Sequence, residues 1–76
     1  MNVKISVNAQ RYENYGFHEG REYWKPKGAT RFSIEDIDAD IVMYADNKKV
    51  VEAIQRQLEL RSSDLEKFEY IDHEVI

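Results

Sequence analysis

Apolar and polar residues alternate along the first ten positions of the chain. In "NVKISVNAQ", residues 2–10, one face is apolar and the other polar, which is the pattern of a half-buried β-strand. The apolar face carries Val3, Ile5, Val7 and Ala9. Three later segments, "EYWK", "TRFSI" and "ADIVMYA", also favour strands, and the last is apolar enough to be central. Pro26 ends the first of these or confines it to a sheet edge because proline cannot donate to a ladder, and Gly28 marks a turn.

From Asp46 onward the spacing of apolar residues becomes helical. One stripe of the predicted helix carries Val50, Val51, Ile54 and Leu58. Asp46 or Asn47 can accept the free N–H groups of the first turn, and the pattern stops near Arg61, where "SSD" follows. The segment "KFEYIDHEV" then predicts a last strand.

These elements predict a single α+β domain spanning residues 1–76. We expect a three- to five-stranded, mostly antiparallel sheet with one helix, about residues 47–61, packed on one face. The other face of such a sheet can stay in water, where it is available for function. No apolar segment is long enough for a signal peptide or a membrane span, so we expect a cytoplasmic protein without membrane contact.

The residue types on which most enzymes and metal sites depend are scarce. There is no cysteine, and His18 and His73 lack the close spacing of paired metal ligands. Alternation would place Glu69 on the same side of the last strand as His73, although a polar strand face explains both residues more simply. No glycine-rich phosphate loop, nucleophile elbow or catalytic triad motif is present. We therefore expect a non-enzymatic protein with no cofactor and no metal.

The net charge of −4 is unevenly distributed along the chain. Residues 1–31 carry six basic and three acidic side chains, whereas residues 32–76 carry five basic and twelve acidic ones. The acidic part contains "EDIDAD", with candidate binding residues Asp36, Asp38 and Asp40. In an extended segment these would point to one side every ~6.6 Å, near the phosphate spacing of a nucleic-acid strand. They are a candidate phosphate mimic, and a solvated loop between two strands is the alternative.

The segment "YENYGFHEGREYWKPKG", residues 12–28, concentrates the aromatic residues of the chain. Its rings are Tyr12, Tyr15, Phe17, Tyr23 and Trp24. Basic residues in and around it are Arg11, Arg21, Lys25, Lys27 and Arg31. This mixture suits stacking on single-stranded nucleic acid, and it also suits a protein-interaction hot spot. We expect some rings, Trp24 and Phe17 first, to enter the core, with Tyr12 on the polar side and at most one of Tyr23 and Trp24 facing the core.

The combination of "NAQRYENYG", "YWKPKG" and "TRF" resembles the opening of small accessory proteins from tailed-phage and prophage genomes. The likeness covers about the first third of the chain and carries over no functional residue. It implies a setting in which small acidic proteins inhibit a host machine, as anti-CRISPR and other anti-defence proteins do.

Three functions are compatible with the sequence. The leading hypothesis is a small binding protein that inhibits a larger host protein or ribonucleoprotein complex, acting by surface occlusion or nucleic-acid mimicry. Its expected contact residues are Asp36, Asp38, Asp40, Tyr12, Tyr15, Tyr23 and Trp24. The second hypothesis is a single-stranded nucleic-acid binder that uses the basic and aromatic N-terminal face. The third is a structural or assembly subunit in which an open sheet edge pairs with another copy.

Overall fold

The computed structural model describes all residues from 1 to 76 and confirms the α+β class. Its elements are β1 (Asn2–His18), β2 (Arg21–Asp38), α1 (Ala39–Tyr44), α2 (Asn47–Arg61) and β3 (Glu66–Val75). The strands form one antiparallel sheet in the order β2-β1-β3. The first and last strands and the long helix were expected from the sequence, with the helix bounds close to those predicted.

Strands β1 and β2 form one long hairpin, closed by Glu19 and Gly20 at φ angles of 54° and 78°. The expectation of two strands separated by a turn at Gly28 was wrong, because "EYWK" and "TRFSI" both belong to β2. Between the pairs that Gln10 and Tyr12 form, β2 advances by one residue more than β1. Gly28, at φ 92°, lies in this bulge. Its left-handed backbone, which glycine adopts without penalty, lets the strand continue instead of turning.

The segment "ADIVMYA" does not form the expected central strand. It forms α1, and the Asp38 carboxylate caps this short helix by accepting the Asp40 N–H at 2.8 Å. Ile41 and Val42 still pack against the core. A short apolar run fits a buried strand or a helical turn equally well, and here the capping residue decides between them.

One face of the sheet packs against α2, and the other is open to solvent. The buried core consists of Ile5, Val7, Ala9, Ile34, Ile37, Val50, Ile54, Leu58 and Phe68. Ile34 and Ile37 differ by three positions, yet both are buried because a second bulge adds a residue to β2 between them. The α2 stripe is buried as predicted, apart from the half-buried Val51.

The hairpin is longer than the rest of the sheet. Strand β3 pairs with β1 only from Ile5 to Glu13. Residues 14–24, which we call the hairpin arm, therefore continue as a two-stranded ribbon beyond the third strand. The molecule is elongated in consequence, with principal extents of 46 × 18 × 16 Å.

Candidate functional site

The hairpin arm is anchored at its root by Asn14. The Asn14 N–H donates to the Leu65 carbonyl at 2.9 Å, and its side-chain nitrogen donates to the Asp64 carbonyl at 3.0 Å. Its side-chain oxygen accepts the Gly16 N–H at 2.6 Å. Gly16, at φ 93°, lies in a third bulge, which places an extra residue in β1. The loop before β3 thus fixes the point from which the arm projects.

The rings of the aromatic segment do not enter the core, which corrects our expectation for Trp24 and Phe17. Phe17 is 77% exposed, Tyr15 50% and Tyr23 45%. Trp24 and Tyr12 are half-buried. The reason is the length of the hairpin, because these rings lie on or beside a part of the ribbon that neither α2 nor β3 covers. Tyr23 and Trp24 point to opposite faces of the ribbon, as expected, with Tyr23 on the α2 side, but neither ring is part of the core.

On the α2 side of the sheet, tyrosines of the arm lie beside two lysines at its base. The Lys25 ammonium lies 5.0 Å from the centroid of the Tyr15 ring and 5.6 Å from that of Tyr23. The Lys27 ammonium lies 5.0 Å from the Tyr15 ring and 3.2 Å from the Glu13 carboxylate. Hydrogen bonding to the Tyr15 side chain and then to Glu13 raises the pKa of Lys27. Both lysines therefore present charge beside exposed rings.

The opposite face of the arm carries Trp24. Cross-strand partners share a face, and the pairs of Trp24 with Asn14 and of Tyr12 with Lys67 place these residues on the open side of the sheet. The Lys67 ammonium lies 4.2 Å from the Trp24 ring centroid. The indole N–H donates to the Glu22 carboxylate at 3.0 Å. Trp24 is thus held between a cation and a carboxylate of its own chain.

Arg11 does not join Lys25 and Lys27 at the base of the arm. It pairs with Phe68, whose side chain is part of the core, and it is half-buried on the α2 side. Its Nε atom is buried without a hydrogen-bond partner. Strand parity, which puts Arg11 opposite in orientation to Tyr12, could have indicated this from the sequence.

The three aspartates do not form the expected single extended row. Asp36 lies in the second bulge of β2, Asp38 ends the strand and caps α1, and Asp40 belongs to the first turn of α1. All three side chains are exposed. The strand-to-helix change between Asp38 and Asp40 removes the regular phosphate-like spacing, although each carboxylate can still meet a basic partner.

The expected alignment of Glu69 and His73 is also wrong. A bulge at Ile71 changes the strand parity, so Glu69 pairs with Gln10 on the open face whereas His73 pairs with the buried Val7. His73 instead lies 2.9 Å from the Tyr70 hydroxyl through its Nδ1 atom. Burial, followed by the charge of Asp72, raises the pKa of Tyr70. No three His, Asp or Glu side chains are grouped so that they could hold a metal ion.

Two cavities border the arm, one on each side. A groove of about 580 Å³ follows the outer edge of β3, between Trp24 and the last turns of α2. A smaller cleft of about 350 Å³ near the tip is lined by Tyr15, Phe17, His18 and Tyr23. The sequence indicated the aromatic residues, but it did not indicate Gln55, Glu59 and Lys67, which line the larger groove. Their position depends on the packing of α2 against β3.

No protein-family model matches the chain, and comparisons with curated proteins and with solved structures gave no match. The helices are all too short or too polar to span a membrane.

Proposed function

We propose that this protein is a non-enzymatic binding protein that inserts its hairpin arm into a larger partner. The observation that carries the proposal is the exposure of Tyr15, Phe17 and Tyr23 on a ribbon that projects beyond the folded core. Exposed aromatic residues are costly to leave in water and are enriched at the centre of protein interfaces. The arm is therefore the binding element.

Charge suggests the kind of partner. Outside residues 11–31 the chain carries six basic and twelve acidic side chains, a net charge of −6. An acidic body is attracted to basic surfaces, such as the channels through which nucleic-acid-handling complexes guide their substrates. The protein would inhibit such a complex by occluding its surface, which is also the role implied by the resemblance to phage accessory proteins. Asp36, Asp38 and Asp40 would contribute carboxylates to this contact.

The test is affinity capture from a nuclease-treated host extract. The bait would be compared with a triple arm variant, Tyr15→Ser, Phe17→Ser and Tyr23→Ser. A matched control is Met43→Ser with Tyr44→Ser on α1, since these side chains are also exposed, at 65% and 79%. We expect a nucleic-acid-handling complex to be captured by the unaltered protein and the control but not by the arm variant, and the captured activity to be reduced. Equal capture by both variants would contradict the proposal.

A second experiment tests the acidic contribution. Replacing Asp36, Asp38 and Asp40 by asparagine removes three charges, and asparagine still serves as an N-cap at position 38. We expect the association rate with the captured complex to fall and its dependence on salt to weaken. Unchanged kinetics would remove these aspartates from the interface.

Single-stranded nucleic acid is the second candidate partner. The observation in its favour is the pairing of Lys25 and Lys27 with the exposed Tyr15 and Tyr23 rings, at 5.0–5.6 Å. It predicts binding of short oligonucleotides at low salt, a steep loss of affinity with added salt and a further loss on Tyr15→Ser. Absence of binding at low salt would eliminate this candidate.

The assembly hypothesis has less support from the sheet edges. The edge strand β2 carries Pro26 and two bulges, and these features hinder pairing with another strand. The outer edge of β3 is occupied in part by Gln55, which bonds to the backbone of Phe68 and Tyr70.

A further inference from the structure

The groove along the outer edge of β3 is the larger of the two cavities, at about 580 Å³. It runs around the edge of the sheet, so its wall combines residues from the open face with residues from α2. The open face contributes Trp24, Lys67 and Glu69, and α2 contributes Glu59. The groove wall therefore combines aromatic rings, among them Trp24, with one cation and two carboxylates.

The Trp24 ring already contacts a cation of its own chain. The Lys67 ammonium lies 4.2 Å from the ring centroid, within the distance at which the electron-rich face of an indole attracts a cation. The indole N–H is bonded to Glu22 at 3.0 Å, which fixes the ring orientation. This internal contact indicates that the ring suits a cationic ligand.

The two carboxylates of the groove have no cation of their own. The ion pairs of the protein join Lys4 to Glu35 and Lys27 to Glu13, and neither involves Glu59 or Glu69. Both glutamates are exposed, so they retain the freedom to meet an incoming cation. An aromatic ring beside unpaired carboxylates has the composition of a guanidinium site.

We propose that this groove binds an arginine side chain on a basic segment of the protein partner, and that Lys67 is the internal cation that the arginine displaces from Trp24. Arginine fits better than lysine because its planar guanidinium can stack on the indole while its N–H groups bond a carboxylate in a forked geometry. This inference rests on the proposed function, since it names the chemical group by which the partner is recognised next to the arm.

Tryptophan fluorescence tests the inference directly, because Trp24 is the single tryptophan of the chain. The probe is the peptide acetyl-Gly-Arg-Gly-Arg-Gly-amide, titrated into the full-length protein at low salt. We expect a saturable change of Trp24 emission, a weaker response to the lysine counterpart and none to the citrulline counterpart, which keeps the shape but lacks the charge.

Removal of the internal cation gives the sharpest comparison. Lys67→Gln should tighten binding of the arginine peptide about two- to fivefold, because the peptide no longer competes with Lys67 for the ring. Lys49→Gln is the matched control, since it makes the same change of charge at the first turn of α2, away from the groove. Glu59→Gln with Glu69→Gln should weaken binding, and circular dichroism would establish that each variant is folded.

Two results would overturn the inference. One is the absence of a saturable response to the arginine peptide in both the unaltered protein and Lys67→Gln. The other is an equal gain for Lys67→Gln and Lys49→Gln, which would indicate a general effect of charge. If either occurred while the arm variant still lost the captured complex, the proposed function would stand without the arginine site. If the peptide bound but the arm variant captured the complex normally, the groove would stand and the arm proposal would fail.

Discussion

The side-chain amide of Gln55 closes part of the outer edge of β3, where its nitrogen donates to the Phe68 carbonyl at 3.2 Å. Its oxygen accepts the Tyr70 N–H at 3.1 Å. These are the two backbone groups that a neighbouring strand would otherwise use. A single residue of α2 therefore both joins the helix to the sheet and masks an edge that could pair with another chain.

Replacement of Gln55 by alanine tests this role. Gln55→Ala should lower the free energy of unfolding by about 1–2 kcal/mol, since two hydrogen bonds are lost, and should increase self-association through the freed edge. Gln57→Ala on the same helix is the control, because the Gln57 side chain is also half-buried but forms no hydrogen bond. Urea unfolding and sedimentation measure the two effects. Equal behaviour of the two variants would contradict the proposed masking.

Gly28 provides a test of the bulge that keeps β2 continuous. A Cβ atom at this position would meet no atom within 4 Å, so substitution carries no steric clash and only the φ angle of 92° opposes it. Gly28→Ala should cost about 1–2 kcal/mol, and Gly28→Asn should cost less because asparagine tolerates positive φ better. Thermal unfolding would compare them. Identical losses for both variants would argue against a conformational cause.

The raised pKa of Tyr70 predicts a dependence of stability on pH in alkaline solution. Burial first, and then the charge of Asp72, makes the folded protein hold the phenol proton more tightly than the unfolded chain does. This stabilisation is complete below the unfolded pKa of about 10 and is lost as the pH rises through the higher folded pKa. Unfolding free energy should therefore fall above about pH 10.

Tyr70→Phe should flatten this alkaline decline, whereas Tyr44→Phe, at an exposed position on α1, should leave it unchanged. The pKa of Lys27 is raised as well and gives the same sign, but this residue is present in both variants. The difference between them therefore isolates Tyr70. Urea unfolding from about pH 8 to about pH 11 supplies the measurement. Parallel curves for both variants would show that Tyr70 does not contribute.

The elements that the sequence predicted well are those in which one face is buried throughout. The apolar positions of β1 from Val3 to Ala9, and those of α2 from Val50 to Leu58, face one core, so their spacing repeats without interruption. Periodicity failed where a bulge changes parity. The bulges at Gly28 and Ile71 each insert one residue. The bulge at Ile71 places His73 and Glu69 on opposite faces of the sheet.

The candidate site was predictable only in its composition. The rings of the arm and the lysines at its base are evident in the sequence, but their exposure depends on where α2 and β3 end, which is a property of the assembled sheet. The groove beside Trp24 is even harder to predict from the sequence. It brings Trp24 of β2 together with Glu59 of α2 and Lys67 of β3, and only the packing of these three elements places them side by side.

Phe17 belongs to the proposed binding element and Phe68 to the core, so substitutions at the two positions should have opposite effects on stability and binding. Phe68 is 9% exposed and packs edge-on against Phe32 at a centroid distance of 4.8 Å, whereas Phe17 is 77% exposed. Phe68→Ala should cost about 3–4 kcal/mol and Phe17→Ser less than about 0.5 kcal/mol. Urea unfolding measures both, and a large loss for Phe17→Ser would mean that the arm packs against the core in solution. With stability unchanged, any loss of partner capture by Phe17→Ser must come from the removed ring itself, which is the result that arm insertion requires.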